Sequence, residues 1–271
     1  MKKTLSLILI CILLAGSFGS CKKDKGDPPN LPPVGSMLID FSNFISTTKS
    51  TDAGFDIKGT ENLNWETSAF IITSWRLLLA TTLAIPVAAF KVAVDQDPVY
   101  LSDKKWQWSY SVGSAGVTYK ARLTGEIIAS EVKWEMYIAR EGADAWPEFK
   151  WFEGTSKTDG SGGRWILSQS NLVQDPLLQI DWTKSGTTIG TIKYTYLKTD
   201  SNNGAYIDYG LTSSSFNAYF NIHYYNNSLG RFSDVNIEWN TSTKNGRIKS
   251  PDYVNGEWQC WDANRINTTC P

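Results

Sequence analysis

Apolar and polar side chains alternate with a period of two residues through most of the chain from Trp106 onward. Such alternation is typical of β-strands that bury one face. Turn sequences rich in Gly and Asn separate the alternating segments, and the short connections favour antiparallel neighbours. The clearest segments are residues 106–112, 117–123, 132–138, 149–151, 165–167, 178–182, 192–196 and 235–239. With the weaker segments included, the pattern predicts an antiparallel meander of about ten strands.

A long apolar stretch, residues 69–90, precedes the alternating region. Arg76 interrupts this stretch, and the uncharged run that comes after it has a length that favours a buried core helix over one that crosses a bilayer. Asn64 is a candidate N-cap in front of it. We therefore predict one long helix over about residues 65–94.

Two prolines shape the predicted helix. Pro86 removes one backbone donor and is expected to kink the helix, and Pro98 prevents its continuation. Because the helix is apolar on almost every side, it needs cover all round, and about ten strands are more than an open twisted sheet carries without curling. The predicted fold is α+β, mainly β: an antiparallel meander of about ten strands, curled as a half-barrel or barrel around one long kinked helix. A first short strand is expected at residues 35–41.

The N-terminus has the features of a secretion signal. Residues 1–20 contain two lysines, an apolar run and then small residues, and we interpret them as a signal peptide. The sequence Gly19-Ser20-Cys21 resembles the cleavage site of bacterial lipoproteins, which implies that Cys21 becomes the lipid-modified N-terminus. The alternative is ordinary cleavage after residues 15–17, which would give a soluble secreted protein with a free Cys21.

The domain organisation follows from this interpretation. Residues 21–35 are rich in Lys and Pro and poor in apolar residues, so we expect a flexible, lipid-anchored tether. Residues 36–271 are predicted to form a single β-rich domain.

The cysteines predict one disulfide. The signal peptide removes Cys11 and acylation would occupy Cys21, which leaves Cys260 and Cys270 in the mature chain. In an oxidising compartment a bond between these two residues, closing a short C-terminal loop, is the simplest interpretation. A pair of cysteines at this spacing does not favour a metal site.

Composition and motifs indicate a protein without catalytic machinery. The formal net charge is −1, and the chain has no basic cluster of the kind that binds phosphate, so we expect no nucleic-acid partner. A hydrolytic triad would have to use the single histidine, His223, which is better explained as an ordinary strand residue. We predict no enzyme activity, no cofactor and no metal; glycoside hydrolysis by a pair of carboxylates stays open.

Three segments resemble a group of uncharacterised cell-envelope lipoproteins of Bacteroidota. They are residues 133–167, residues 36–41 and the sequence Cys260-Trp261-Asp262. The resemblance implies no activity, because the group has no assigned function. It does imply a location in the cell envelope, lipid-anchored to the outer membrane at its periplasmic face or at the cell surface.

Three functions remain open. The first is a non-catalytic binding module for a lipid or other apolar ligand, by analogy of fold with periplasmic lipoprotein carriers. The second is a surface glycan-binding lipoprotein that uses exposed aromatic side chains, and the third is a structural or interaction domain without a small ligand. The chain has 12 Trp, and the candidate ligand-binding residues are Trp134, Trp146, Trp151 and Trp165. Trp146, which precedes a proline at a predicted strand edge, is the best candidate for exposure, whereas the other three are in phase with inward-facing neighbours.

Overall fold

The computed structural model of the protein describes residues 25–45 and 60–271. The predicted signal peptide and Cys21 therefore lie outside the described residues. In the described part of the chain there is one long helix, α1, at Leu63–Ala93. It begins two residues before the predicted start and ends within the predicted range. The helix continues through Pro86, and the kink at that residue stays a prediction.

A single antiparallel sheet follows α1. Within the described residues it has fourteen strands, and every strand pairs with its neighbours in sequence order, which confirms the predicted meander. The strands are β1 Val99–Ser102, β2 Lys105–Ser114, β3 Val117–Ile128, β4 Glu131–Arg140, β5 Trp146–Lys157, β6 Gly162–Ser168, β7 Pro176–Ser185, β8 Thr188–Tyr196, β9 Tyr206–Leu211, β10 Ala218–Asn226, β11 Arg231–Trp239, β12 Gly246–Lys249, β13 Gln259–Trp261 and β14 Asn267–Thr268.

The predicted number of strands is wrong, and the reason is the length of the strands that were missed. β1 and β12 have 4 residues each, β13 has 3 and β14 has 2. Segments as short as these show too few alternations to be recognised. The sheet is also open, because among the described residues β1 pairs only with β2 and β14 only with β13. A closed barrel is therefore excluded.

The helix packs on the inner face of this sheet. It contacts β2 and β3 near one edge and β12, β13 and β14 at the other. Near its C-terminal end, the Phe90 ring lies 5.6 Å from the Trp165 ring and 6.3 Å from the Phe152 ring, measured between centroids. The Tyr110 hydroxyl donates a 2.8 Å hydrogen bond to the carbonyl oxygen of Ala89. Burial raises the pKa of Tyr110 well above its usual range, so this hydroxyl remains a donor at neutral pH.

Large tryptophan rings on the inner face lie over glycines of neighbouring strands. Gly125 and Gly154 both pair with Trp134, and Gly154 also pairs with Trp165. A Cβ atom on Gly154 would lie 2.5 Å from Cε3 of Trp165 and 2.1 Å from the carbonyl oxygen of Arg164. The absence of a side chain at these positions is what lets the indole rings lie flat against the sheet, so glycine and tryptophan form one packing unit.

One side of α1 is not covered by the sheet. Leu77 is 59% exposed, and Thr81 and Ala84 are exposed on the same side of the helix. The expectation that the helix is covered all round is therefore not met by the described residues. An open sheet covers only the side of the helix that faces it, and Leu79, Leu83 and Phe90 are buried on that side.

The predicted first strand is also wrong. Val34–Met37 forms a short 3-10 helix, and no residue of the described segment 25–45 pairs with the sheet. This segment crosses the inner side of the molecule, where Ser36 and Met37 are completely buried. Its alternation reflects packing against α1, β7 and β8 rather than a strand. Pro29 and Pro32, within the predicted tether, are buried too, so the second half of the tether lies against the domain.

The predicted disulfide is present. The sulfur atoms of Cys260 and Cys270 are 2.10 Å apart, and their Cα atoms are 5.2 Å apart. Cys260 lies in β13 and Cys270 lies just beyond β14, so the bond ties together the two strands at the last edge of the sheet.

Candidate functional site

The most suitable site for a ligand is an apolar cavity of about 220 Å³ between α1, the N-terminal segment and β8. One wall is the N-terminal segment, with residues 37–39 and Phe41. The second wall is α1, and β8 contributes Tyr194. Ala80 and Ala84 are exposed and have small side chains, so this part of the helical wall gives the cavity little cover from solvent. The apolar residues of the helical wall are Leu79, Ala80, Leu83, Ala84 and Val87.

Arg76 is the charged residue of the lining. Its side chain is half-buried, and among the described residues it has no hydrogen-bond or ion-pair partner. The carboxylate of α1, Glu66, lies ten positions earlier in the helix, which corresponds to about 15 Å along its axis. The positive charge of Arg76 therefore has no counter-charge on its own helix near the cavity.

Tyr194 provides a second polar group in the lining. The residue is completely buried, and its hydroxyl has no hydrogen-bond partner among the described residues. Burial raises the pKa of Tyr194 well above its usual range, so the hydroxyl is a donor at neutral pH. A buried donor without an acceptor is costly and rare in folded proteins, and Tyr194 is one of the residues that line the cavity.

Two of the four candidate tryptophans, Trp134 and Trp165, are completely buried core residues. The Nε1 atom of Trp134 donates to the Ser156 hydroxyl at 2.9 Å, and that of Trp165 donates to the Ser36 hydroxyl at 3.1 Å. Neither residue lines the cavity. Their predicted inward orientation is confirmed, whereas their predicted part in ligand binding stays a prediction.

Trp146 and Trp151 are both half-buried and lie together in β5. Their ring centroids are 5.7 Å apart, and the Tyr119 and Phe149 rings complete the cluster around Trp146 at 6.1 and 5.3 Å. Trp151 was predicted to face inward with its apolar neighbours along the strand, and the pairing of β5 with β4 explains why it does not. The register of β5 against β4 shifts at this point, so Phe149 and Phe152 face the core and Trp151 is displaced from it.

The single histidine lies on the outer face of the sheet. His223 Nδ1 is 2.7 Å from Oδ1 of Asp234, and the imidazole ring is stacked between the rings of Tyr206 and Phe232. Lys193 covers the other side of Tyr206, with its Nζ 3.8 Å from the ring centroid. Because the rings face one another across the strands, this row is a cross-strand packing arrangement and has little open ring surface for a ligand.

Two carboxylates of the strands are engaged in ion pairs across the outer face of the sheet. Glu148 pairs with Arg122 at 2.5 Å, and Asp181 pairs with Arg164 at 2.6 Å. A groove of about 400 Å³ lies on this face beside Arg164 and Glu153, but both of these charged groups already have protein partners. Among the described residues, no group of three or more His, Cys, Asp or Glu could hold a metal ion.

By length and composition alone, α1 is apolar and long enough to cross a bilayer, and 33% of its most apolar window is buried. In the structure the helix packs on the sheet, and its buried residues Leu79, Leu83 and Val87 also border the cavity. Length and composition therefore do not distinguish a core helix from a membrane helix here, whereas the contacts of Phe90 and Ala89 place α1 in the domain core.

The sequence did not reveal this cavity, although it contained one signal of it. The cavity brings together residues 37–41, residues 76–87 and Tyr194, which are far apart in the chain. The signal was Arg76, a single charge within a long apolar helical stretch. The chain matches no protein-family model, no curated protein and no solved structure, and its function is therefore inferred from the geometry of this site.

Proposed function

We propose that this chain is a membrane-anchored cell-envelope lipoprotein that binds a lipid or another apolar ligand without catalysis. The observation that carries the proposal is the apolar cavity between the N-terminal segment and α1. Small-molecule sites are typically concave and apolar with a few polar groups, and Arg76 and Tyr194 are such groups here. A volume of about 220 Å³ suits one hydrocarbon chain better than a bulky ligand.

The shape that we propose for the sheet is a half-barrel curled around α1. Ala89 and Phe90 are consecutive residues, yet they contact β2 through Tyr110 and β6 through Trp165. On a flat sheet β2 and β6 would be about 19 Å apart, because neighbouring strands are spaced by about 4.8 Å. Simultaneous contact supports a sheet that bends around the C-terminal half of the helix.

Attachment to the outer membrane rests on the N-terminal sequence, since Gly19-Ser20-Cys21 precedes a polar segment. Metabolic labelling with palmitate tests it by comparing the wild-type chain with Cys21→Ala. Labelling that disappears in the variant, together with loss of the protein from the membrane fraction, is the expected result. Equal labelling of the two chains would refute acylation at Cys21.

Ligand binding is tested by native mass spectrometry of the protein extracted from its own membranes, followed by lipid extraction. We expect a copurifying amphiphile at near-unit stoichiometry in the wild type and its loss in Ala84→Trp, whose indole would occupy the cavity from the solvent side. Thr81→Trp is the matched control, because Thr81 is exposed on the same helix and does not line the cavity.

The same preparation distinguishes the other two functions. An apo mass together with retention on an immobilised polysaccharide that is lost in Trp146→Ala would replace the proposal by glycan binding, for which the half-buried aromatic cluster of β5 is the candidate surface. Absence of both ligand and polysaccharide binding would leave a structural or interaction domain.

A further inference from the structure

The charge distribution around the cavity restricts the kind of amphiphile that it would hold. From Thr67 to the end of α1 at Ala93, the helix carries two cations, Arg76 and Lys91, and no carboxylate. Of these two, only Arg76 lines the cavity. Arg76 is half-buried and has no partner among the described residues, so its guanidinium has no counter-charge there. An anionic group at the cavity mouth would provide that counter-charge.

The buried hydroxyl of Tyr194 adds a second requirement. It is held in β8 between Ile180 and Ile207 of the neighbouring strands, so no polar side chain stands directly opposite it. Since it donates at neutral pH, it requires an acceptor. An oxygen atom of a bound molecule would provide one, whereas a pure hydrocarbon would leave the donor unsatisfied.

We propose that the ligand is an amphiphile with an anionic head group, either a carboxylate or a phosphate. The head group pairs with the Arg76 guanidinium, the hydrocarbon chain lies against Leu79, Leu83 and Val87, and an oxygen of the ligand accepts a hydrogen bond from Tyr194. This inference rests on the proposed function, since it assigns the class of ligand to the same cavity.

The test compares three probes whose main chain has twelve carbon atoms: dodecanoate, dodecanol and dodecyltrimethylammonium. Each is added at the same concentration to the full-length protein in a non-ionic detergent, and its occupancy is measured by native mass spectrometry. Dodecyl phosphate is the fourth probe and separates a preference for phosphate from a preference for carboxylate. In the wild type we expect both anionic probes to bind at least about ten-fold more tightly than dodecanol, as a charge-assisted hydrogen bond does.

Two variants of α1 show which cation causes the preference for anionic probes. Arg76→Gln should abolish this preference, so that dodecanoate and dodecanol bind with equal affinity. Lys91→Gln removes the same charge from the same helix but at a position about 22 Å away along the axis, and it should leave the preference intact. If both variants weaken dodecanoate equally, the preference reflects net charge and the inference is wrong.

Tyr194→Phe gives a readout that a purely structural role would not produce. Removing a buried donor without a partner should leave the stability of the ligand-free protein unchanged or raise it. The same substitution should weaken dodecanoate binding several-fold, because the hydrogen bond to the ligand is lost. Unchanged affinity in this variant would overturn the role of Tyr194.

The remaining outcomes separate this inference from the proposed function. If all probes bind equally to the wild type and to Arg76→Gln, the cavity takes amphiphiles but does not select an anionic head group, and only the inference fails. If none of the probes binds to the wild type, the proposed function fails with it.

Discussion

The side-chain amide of Asn64, in the first turn of α1, donates a 2.8 Å hydrogen bond from Nδ2 to the carbonyl oxygen of Cys260. Its Oδ1 accepts a 2.7 Å bond from the Tyr253 hydroxyl, and its backbone N–H donates to Oδ1 of Asn267 at 3.0 Å. Asn64 is not the N-cap that the sequence predicted, because the helix begins at Leu63 and Asn62 occupies the cap position. Its role is to attach the start of the helix to the C-terminal loop.

The first prediction concerns this attachment. Asn64→Ala should lower the free energy of unfolding by about 1 to 3 kcal/mol, because it removes the buried hydrogen bond to the Cys260 carbonyl and the part-buried one from the Tyr253 hydroxyl. Equilibrium denaturation measures the change. Asn62→Ala is the control, since Asn62 makes no capping hydrogen bond and its loss should cost about 0.5 kcal/mol or less. Equal effects would show that Asn64 has no special role.

The disulfide should stabilise the same region. It closes a loop with a sequence separation of 10 residues, which by chain entropy corresponds to about 2 to 3 kcal/mol. We expect the double variant Cys260→Ser, Cys270→Ser to lose about this amount. Hydrogen exchange should also become faster at residues 63–68, because Cys260 and Asn267 hold the helix start. Two thiols that react freely in the denatured, unreduced wild type would disprove the bond.

Glycine at position 154 should be indispensable for the inner face. In Gly154→Ala the new Cβ would lie 2.1 Å from the carbonyl oxygen of Arg164, so backbone and indole must shift. We expect destabilisation by about 3 kcal/mol in a denaturant titration, at the upper end of the range typical of overpacked cores, because the nearest atom belongs to the backbone. Gly113→Ala is the matched control in a strand, because a Cβ there meets nothing within 4 Å. A change in Gly154→Ala as small as in the control would mean that the sheet can open at this point.

The pH dependence of stability should include a contribution from Asp208. Partial burial raises the pKa of Asp208 above its usual 3.8, while Lys193 and a hydrogen bond from Asn221 act in the opposite direction. With the folded-state pKa above the unfolded one, the folded state holds the proton longer, so stability falls as pH rises between the two values. Asp208→Asn should therefore raise the melting temperature at neutral pH, and the gain should vanish below the unfolded pKa. Asp159, whose pKa is lowered by the backbone N–H of Ser161, should not show such a gain in Asp159→Asn.

Much of the sheet could be predicted, because alternation is a local property. The turns at residues 159–163, 185–186, 202–204, 226–228 and 244–246 all connect consecutive strands, as expected. What the sequence did not show depends on contacts between distant residues. The displacement of Trp151 follows from a register shift against β4, and the pattern of one strand does not contain it. In the same way, the alternation of residues 35–41 could not distinguish a strand from an irregular segment packed on a helix.

The candidate site was less predictable than the fold. Residues 37–41 and Tyr194 were each interpreted as strand positions, and only the packing of the N-terminal segment over β7 and β8 brings them together beside α1. Burial of the helix was correctly expected for its sheet-facing side, as Leu79 and Phe90 show. Its open side was missed, because the helix is apolar on nearly every side and its pattern does not indicate which residues the sheet leaves exposed.

The two sides of α1 can be distinguished by placing a carboxylate on each. Leu78 is partly buried and packs against the core, whereas its neighbour Leu77 is 59% exposed. Leu78→Asp should destabilise the domain by about 2 kcal/mol or more, because a carboxylate there is partly desolvated against the core. Leu77→Asp should change the free energy of unfolding by only about 0.5 kcal/mol, since water still reaches the side chain.

Thermal denaturation of the two variants measures this difference directly. Surface substitutions typically shift the melting temperature by only about a degree or two. If both variants melt this close to the wild type, then α1 is exposed on both sides and acts as a contact surface for a membrane or a partner. If both are strongly destabilised, the side of α1 that bears Leu77 is covered in the intact protein. The expected asymmetry, with Leu78→Asp alone destabilising, would show that the domain covers the side of α1 that bears Leu78 and leaves the side that bears Leu77 exposed.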